Sequence, residues 1–95
     1  MPDKLKRKEV DKKLNELNNG WVLVDGHLKR KYELEDFKTA LYLTVKIGGL
    51  AEKQNHHPNI NLSWGEVVVE IWTHELGGLT EKDFKLAKKI DEIII

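Results

Sequence analysis

The chain has 95 residues, and its sixteen acidic side chains balance its sixteen basic ones, so the formal net charge is zero. A chain of this length and charge is expected to fold as one domain, residues 1–95, and to bind neither nucleic acid nor membrane through charge. The lack of cysteine excludes disulfides, thiolate metal sites and cysteine nucleophiles. No apolar run approaches the roughly 20 residues of a membrane span, and the charged first residues do not resemble a signal peptide, so we expect a cytoplasmic protein.

The first predicted element is an amphipathic helix over residues 4–17. Val10, Leu14 and Leu17 recur there at helical spacing, and Asn-Asn-Gly at 18–20 is typical of a helix end. Residues 21–24 and 28–34 then flank Asp-Gly, a dipeptide that favours a tight hairpin turn. This part of the chain therefore predicts a helix followed by two antiparallel strands.

A second helix is predicted to open at residues 35–36, whose acidic side chains suit the positive end of a helix. Its predicted buried face consists of the residues that repeat at helical spacing: Phe37, Ala40, Leu41, Thr44, Ile47 and Ala51. The glycine pair at 48–49 either packs closely against another backbone or breaks the helix, since glycine is a poor helix former. Pro58 disfavours the helical conformation for the residue before it, so the helix ends at or before the histidine pair at 56–57.

Two further strands are predicted, over residues 59–64 and 67–74. Successive side chains of a strand point to opposite faces. One face of the second strand therefore carries Val67, Val69, Ile71 and Thr73, and the other carries Val68, Glu70, Trp72 and His74. A last helix begins within residues 79–83, with a predicted buried side of Phe84, Ala87, Ile90 or Asp91, and Ile94.

The predicted order is helix, two strands, helix, two strands, helix. Strand pairs joined by short turns form antiparallel sheets, and helices pack most simply on one face of such a sheet. The expected fold class is α+β, a two-layer domain with a four-stranded antiparallel sheet and three helices packed on one face.

Three of the four histidines, His56, His57 and His74, lie at the ends of predicted elements. Imidazole both accepts and donates protons near neutral pH. Three converging imidazoles are compatible with proton transfer, with a zinc site or with a merely polar surface. Adjacent side chains diverge, which makes it awkward for His56 and His57 to share one metal ion. The residues alone leave these alternatives open.

The spacing of several residues resembles the signature of the pterin-4a-carbinolamine dehydratases. That signature is matched by Glu52, His56-His57-Pro58, Trp64, His74 and Asp83. The resemblance continues in Gly20-Trp21, Asp36-Phe37, Thr73-His74-Glu75 and Gly78-Leu79-Thr80. It covers nearly the whole chain apart from the first helix and the last few residues.

The resemblance implies that the protein removes water from a 4a-hydroxytetrahydropterin to give a quinonoid dihydropterin, without a cofactor or a metal. It implies that His56 and His74 are acid/base residues and that His57 holds and polarises the substrate, with a possible share in proton transfer. Each proton transfer of this kind accelerates a reaction by roughly 10²–10⁴-fold.

The resemblance also implies a set of substrate-binding residues: Glu52, Trp21, Thr73 and Asp83. Structural alternatives exist for most of them. Asp83 lies three residues after Thr80, as in a capping box, and a cap there could also orient His74. Glu52 could simply solvate its helix, and Trp21 could belong to the core. His27 falls outside the signature and is interpreted as a surface histidine, and Trp64 and Trp72 as packing residues.

A small-molecule pterin is the expected partner. The resemblance implies a homodimer or homotetramer, and the apolar residues 93–95 offer surface that a monomer would leave exposed to water. Some animal members of the family also act as dimerisation cofactors for a homeodomain activator. The alternatives are therefore a non-catalytic interaction module of the same fold and a histidine-ligated metal protein.

Overall fold

The computed structural model describes residues 3–94. Within this range the chain forms three α-helices and four β-strands, in this order: α1 Arg7–Leu14, β1 Val22–Val24, β2 His27–Glu33, α2 Phe37–Gln54, β3 Asn59–Ser63, β4 Glu66–Ile71 and α3 Glu81–Asp91. A single 3₁₀ turn, His74–Leu76, connects β4 to α3. The predicted order of helices and strands and the α+β class are confirmed.

The four strands form one sheet in the order β1-β2-β4-β3, and every neighbouring pair is antiparallel. Leu28 of β2 pairs with Ile71 of β4, and Asn59 of β3 pairs with Glu70 of β4. The start of β2, the start of β3 and the end of β4 therefore meet at one end of the sheet. The predicted four-stranded antiparallel sheet is confirmed.

The alternation predicted for β4 determines which face of the sheet is buried. Val67, Val69 and Ile71 are fully buried and Thr73 is 3% exposed. The three aliphatic residues belong to the same core as Leu43 of α2 and as α3 side chains such as Leu86 and Ile90. The helices therefore cover one face of the sheet. The opposite face, which carries Trp72, stays open.

The buried stripe of α2 differs from the prediction. Ala40, Leu43, Ile47 and Ala51 are buried, whereas Phe37 and Leu41 are each 44% exposed. A straight helix lying on a sheet buries a narrow stripe, and the buried residues here are three or four apart. The prediction for Phe37 and Leu41 was wrong because apolar residues cover more of this helix than one contact can bury, and Leu43 was missed.

The glycine pair in α2 does not break the helix, and packing against a partner chain stays a prediction. The helix runs unbroken through Gly48 and Gly49. Apart from the adjacent residues and the backbone of α2 itself, a Cβ atom added at either position would meet no atom of residues 3–94 within 4 Å. One chain therefore shows no helix break and no close backbone contact at these positions.

Phe84, Ala87 and Ile90 of α3 are buried as predicted. Ile94 is 87% exposed, so its assignment to the buried side was wrong: α3 ends at Asp91 and Ile94 lies beyond it. Ile93 packs partly against the core, and Ile95 lies outside the described residues. None of the helices within residues 3–94 is long and apolar enough to cross a membrane.

Candidate active site

The C-terminal end of α2 directs His56 toward the start of α3. Asn55 adopts the left-handed conformation, with φ of 51°, and the backbone N–H of His56 donates to the carbonyl of Ala51 over 3.1 Å. This pair of features closes the last turn and reverses the chain. The His56 ring then lies against α3, where its side chain is only 11% exposed.

The partner of His56 is a fully buried carboxylate. Nε2 of His56 lies 2.6 Å from Oδ1 of Asp83. Oδ2 of the same carboxylate accepts from the Thr73 hydroxyl and from the Thr80 backbone N–H, both at 2.8 Å. Since Asp83 accepts from all its other partners, we assign a proton to Nε2 of His56. That tautomer leaves Nδ1 as the nitrogen that can accept or pass a proton.

Asp83 therefore combines the two roles that the sequence left open. Its bond to the Thr80 N–H, together with the Thr80 side chain at the helix start, forms the capping box of α3. Its other oxygen orients a histidine, and that histidine is His56, not His74. The Thr73 and Thr80 hydroxyls lie 2.9 Å apart and complete this buried polar network.

His57 is held by Glu52, one turn back on α2. Nε2 of His57 and Oε2 of Glu52 are 2.5 Å apart, and both side chains are more than half exposed. An exposed ion pair of this kind contributes little to stability, typically 0–1 kcal/mol. Its effect here is to orient a histidine that faces solvent beside the end of the sheet.

His74 follows Thr73, whose hydroxyl binds the same carboxylate as His56. The two side chains point to opposite sides of the chain, so Thr73 faces the buried network and His74 is exposed. The His74 ring stacks on Trp72, with centroids 4.3 Å apart and planes at 20°. The His27 ring stacks on the same indole, with centroids 4.0 Å apart and planes at 3°.

All four histidines thus lie at one end of the sheet. His27 begins β2, His56 and His57 precede β3, and His74 follows β4. An open depression of about 370 Å³ lies on the open face; its lining includes Pro58, which follows His57, and Glu70, which binds His27, but none of the histidines. Its polar lining includes Lys29, Asn59, Asn61 and Glu70, and Pro58 borders it. This surface therefore offers both hydrogen-bond donors and hydrogen-bond acceptors to a flat, polar heterocycle.

Trp21 is not part of this cluster. It is 5% exposed within the core, and its indole N–H donates to Oδ1 of Asp91 over 2.8 Å. Asp91 is the last residue of α3, whereas Asp83 lies in the first turn, about 12 Å away along the helix axis. Within one chain, Trp21 therefore has a core role, and the structure does not bring it to the histidines.

Sequence reasoning missed the interactions of His27 and Trp72, which it interpreted as a surface and a packing residue. In the predicted strand 67–74, Trp72 and His74 are two residues apart on one face, which was a usable signal for contact. The approach of His27 depends on the pairing of β2 with β4, which no local pattern reveals. Within residues 3–94, no three His, Asp or Glu side chains are arranged to hold one metal ion.

Comparison with known proteins relates the chain to a single family. A sequence model of the family described as pterin 4 alpha carbinolamine dehydratase matches residues 3–93. A relative from Rickettsia bellii named for this dehydratase is 51% identical over 88 residues, covering 92% of this chain and 78% of the relative. Another relative with this name, from Aquifex aeolicus, is 39% identical over 94 residues, covering 99% of this chain and 94% of the relative.

Solved structures share the fold. The crystal structure of a transcriptional coactivator/pterin dehydratase from Brucella melitensis has a TM-score of 0.87 and 33% identity, over 93% of this chain and 95% of that one. A pterin dehydratase-like protein identified as a RuBisCO assembly factor in the alpha-carboxysome has a TM-score of 0.61 and 18% identity, over 75% and 82%. The latter shows a likeness of fold alone.

Proposed function

The chain belongs to the pterin 4 alpha carbinolamine dehydratase family, and on that premise we propose that it is a hydro-lyase that dehydrates a pterin-4a-carbinolamine. In this reaction the C4a–O bond breaks, and the hydroxyl takes a proton and leaves as water. The hydrogen on N5 is lost as a proton, and a quinonoid dihydropterin results. The chemistry requires one proton donor and one proton acceptor, and histidine serves as either near neutral pH.

The observation that carries this proposal is the hydrogen bond between His56 and the buried Asp83. A buried carboxylate that binds one nitrogen of an imidazole holds the ring in one orientation and stabilises its protonated form, as in other acid/base dyads. We propose that His56 exchanges a proton with the substrate through Nδ1. Asp83 and Thr73 act as positioning residues, since neither is exposed enough to touch a substrate.

His74 is the second acid/base residue of the proposal, and His57 is the residue that holds the substrate. His74 is exposed on the turn after β4, one residue from the network that orients His56. Glu52 orients His57 from the side of α2. Donors and acceptors that reach the pterin from two separate parts of the chain, the loop after α2 and the turn after β4, would suit a ring that must gain a proton at one position and lose one at another.

Replacement of each histidine by glutamine tests the proposal. The carbinolamine is generated by a hydroxylase reaction, and loss of the intermediate is followed in the presence of the protein. We expect the wild type to accelerate this loss, and His56→Gln or His74→Gln to lower kcat by roughly 10²–10⁴-fold. His57→Gln is expected to raise KM more than it lowers kcat. Wild-type rates in both the His56 and the His74 variant would refute the assignment.

We propose in addition that the protein is a homodimer or homotetramer. Phe37, Leu41 and Val45 are spaced four residues apart on α2 and are 44%, 44% and 65% exposed. A contiguous apolar stripe on a helix is typical of a protein interface. This surface supports association, and Ile93 and Ile94 border the same depression as Val45. Sedimentation equilibrium is expected to give a mass above the 11.0 kDa of one chain; a mass of one chain would contradict it.

A further inference from the structure

A stack of three rings lies on the open face of the sheet, beside the proposed reaction site. The ring centroids of His27 and His74 lie 4.0 and 4.3 Å from that of Trp72. Two imidazoles this close to one indole centroid would overlap if they lay side by side on the same face. They therefore cover opposite faces, and Trp72 is held between them.

The far end of the stack is anchored. Nδ1 of His27 lies 2.7 Å from Oε2 of Glu70, and both side chains are mostly buried. Glu70 is two residues before Trp72 and points to the same face. This hydrogen bond limits rotation of the His27 ring and so supports the indole from one side.

The near end of the stack is open. His74 is exposed, and within residues 3–94 no hydrogen bond to its ring is present. An exposed histidine on a short turn would sample several rotamers. Contact with the indole selects one of them and leaves the outer face and the edge nitrogens of His74 free.

We infer that Trp72 is a positioning residue for His74, with His27 and Glu70 bracing the other side of the indole. This inference rests on the proposed function, in which His74 transfers a proton. A proton-transferring group works only within hydrogen-bond reach and in the correct orientation, so fixing the ring in advance raises the rate of the chemical step.

Substitution at position 72 is the direct test. Trp72→Leu removes the stacking face, and we expect kcat to fall about 3- to 10-fold with KM unchanged, the effect of one lost aromatic contact. Trp72→Phe keeps an aromatic face and is expected to restore kcat to within about 2-fold. His27→Leu removes only the brace, so its effect on kcat is expected to be smaller than that of Trp72→Leu.

A matched control is offered by Trp64, which is 72% exposed in the β3–β4 turn. Trp64→Leu makes the same chemical change outside the stack and is expected to leave kcat unchanged. In a His74→Ala background, Trp72→Leu is expected to cause no further loss, because a residue that acts through His74 has nothing left to position.

Nuclear magnetic resonance of the His74 ring protons gives a readout that does not depend on turnover. The indole shifts these resonances through its ring current, so Trp72→Leu is expected to move them and Trp64→Leu to leave them in place. Unmoved His74 resonances, an undiminished kcat in Trp72→Leu, or the same fold-loss with and without His74 would each overturn the inference. A wild type that does not consume the carbinolamine would instead refute the proposed activity, and the positioning role with it.

Discussion

His56 and Asp83 are 27 residues apart in the chain, yet their side chains share a 2.6 Å hydrogen bond in which Asp83 is fully buried. The other oxygen of Asp83 caps α3 through the Thr80 N–H. One carboxylate therefore sets both where a helix begins and how an imidazole is oriented. Any change at Asp83 is expected to affect stability and turnover together.

Asp83→Asn is expected to lower kcat by roughly 10²-fold or more, since an amide cannot stabilise a protonated His56. It is also expected to lower the free energy of unfolding by about 1–3 kcal/mol, because the buried donors that now bind the Asp83 carboxylate would face an amide group that accepts through only one of its two polar atoms. Steady-state rates and urea unfolding measure the two effects.

Asp36→Asn is the matched control for this change. Asp36 caps α2, and its side chain accepts from the Thr39 N–H over 2.7 Å. Asparagine caps helices about as well as aspartate, so both turnover and stability are expected to stay close to wild type. Equal turnover in the two variants would contradict the role given to Asp83.

Glu52→Gln is expected to change turnover by less than about 5-fold, because the Glu52–His57 pair is exposed and such pairs are weak. The change is expected to appear mainly in KM, since His57 is proposed to hold the substrate. Glu16→Gln, an exposed glutamate outside the site, is the control. A loss comparable to that of Asp83→Asn would show that Glu52 does more than orient His57.

Replacing both Gly48 and Gly49 by alanine tests whether α2 meets a partner helix. The added methyl groups have free space within the described chain, so the dilute monomer is expected to gain about 1 kcal/mol per glycine from helix propensity. Both glycines continue the exposed stripe of Phe37, Leu41 and Val45, so association is expected to weaken. Thermal unfolding and sedimentation of the same variant separate the two effects. Lower stability with unchanged association would be the contrary outcome.

Tyr32 is expected to make the fold sensitive to alkali. Burial, the largest cause, raises the pKa of Tyr32 from 10.0 to about 12, with Arg30 lowering it and Asp91 raising it to smaller extents. As the pH rises, Tyr32 therefore loses its proton at a lower pH in the unfolded chain than in the folded one. The stabilising effect of a neutral Tyr32 is therefore complete below pH 10 and is lost as the pH rises toward 12.

Tyr32→Phe is expected to remove this part of the alkaline unfolding. At neutral pH it should not destabilise the protein, because the Tyr32 hydroxyl is buried without a hydrogen-bond partner in the described part of the chain. Thermal unfolding between pH 8 and 12 measures the effect. Tyr42→Phe, at an exposed tyrosine of α2, is the control; identical alkaline profiles for the two variants would contradict the prediction.

Local patterns predicted most of the fold. The order of elements, the buried face of β4 and the capping box at Thr80 all follow from spacings of two to four residues. Such spacings report the geometry of a single helix or strand, which repeats every 3.6 or 2 residues wherever the element lies. Pro58 likewise indicated correctly that α2 ends before the histidine pair.

The tertiary structure decided the contacts between elements. Whether Asp83 would bind His56 or His74, and whether His27 would reach Trp72, depended on how α3 sits on the sheet and on the β2–β4 register. The same holds for the exposure of Phe37 and Leu41. A sequence by itself states which residues are apolar or ionisable and how they repeat along the chain. Which of them meet across the chain is set by long-range packing, because every pairing competes with others that have the same local pattern.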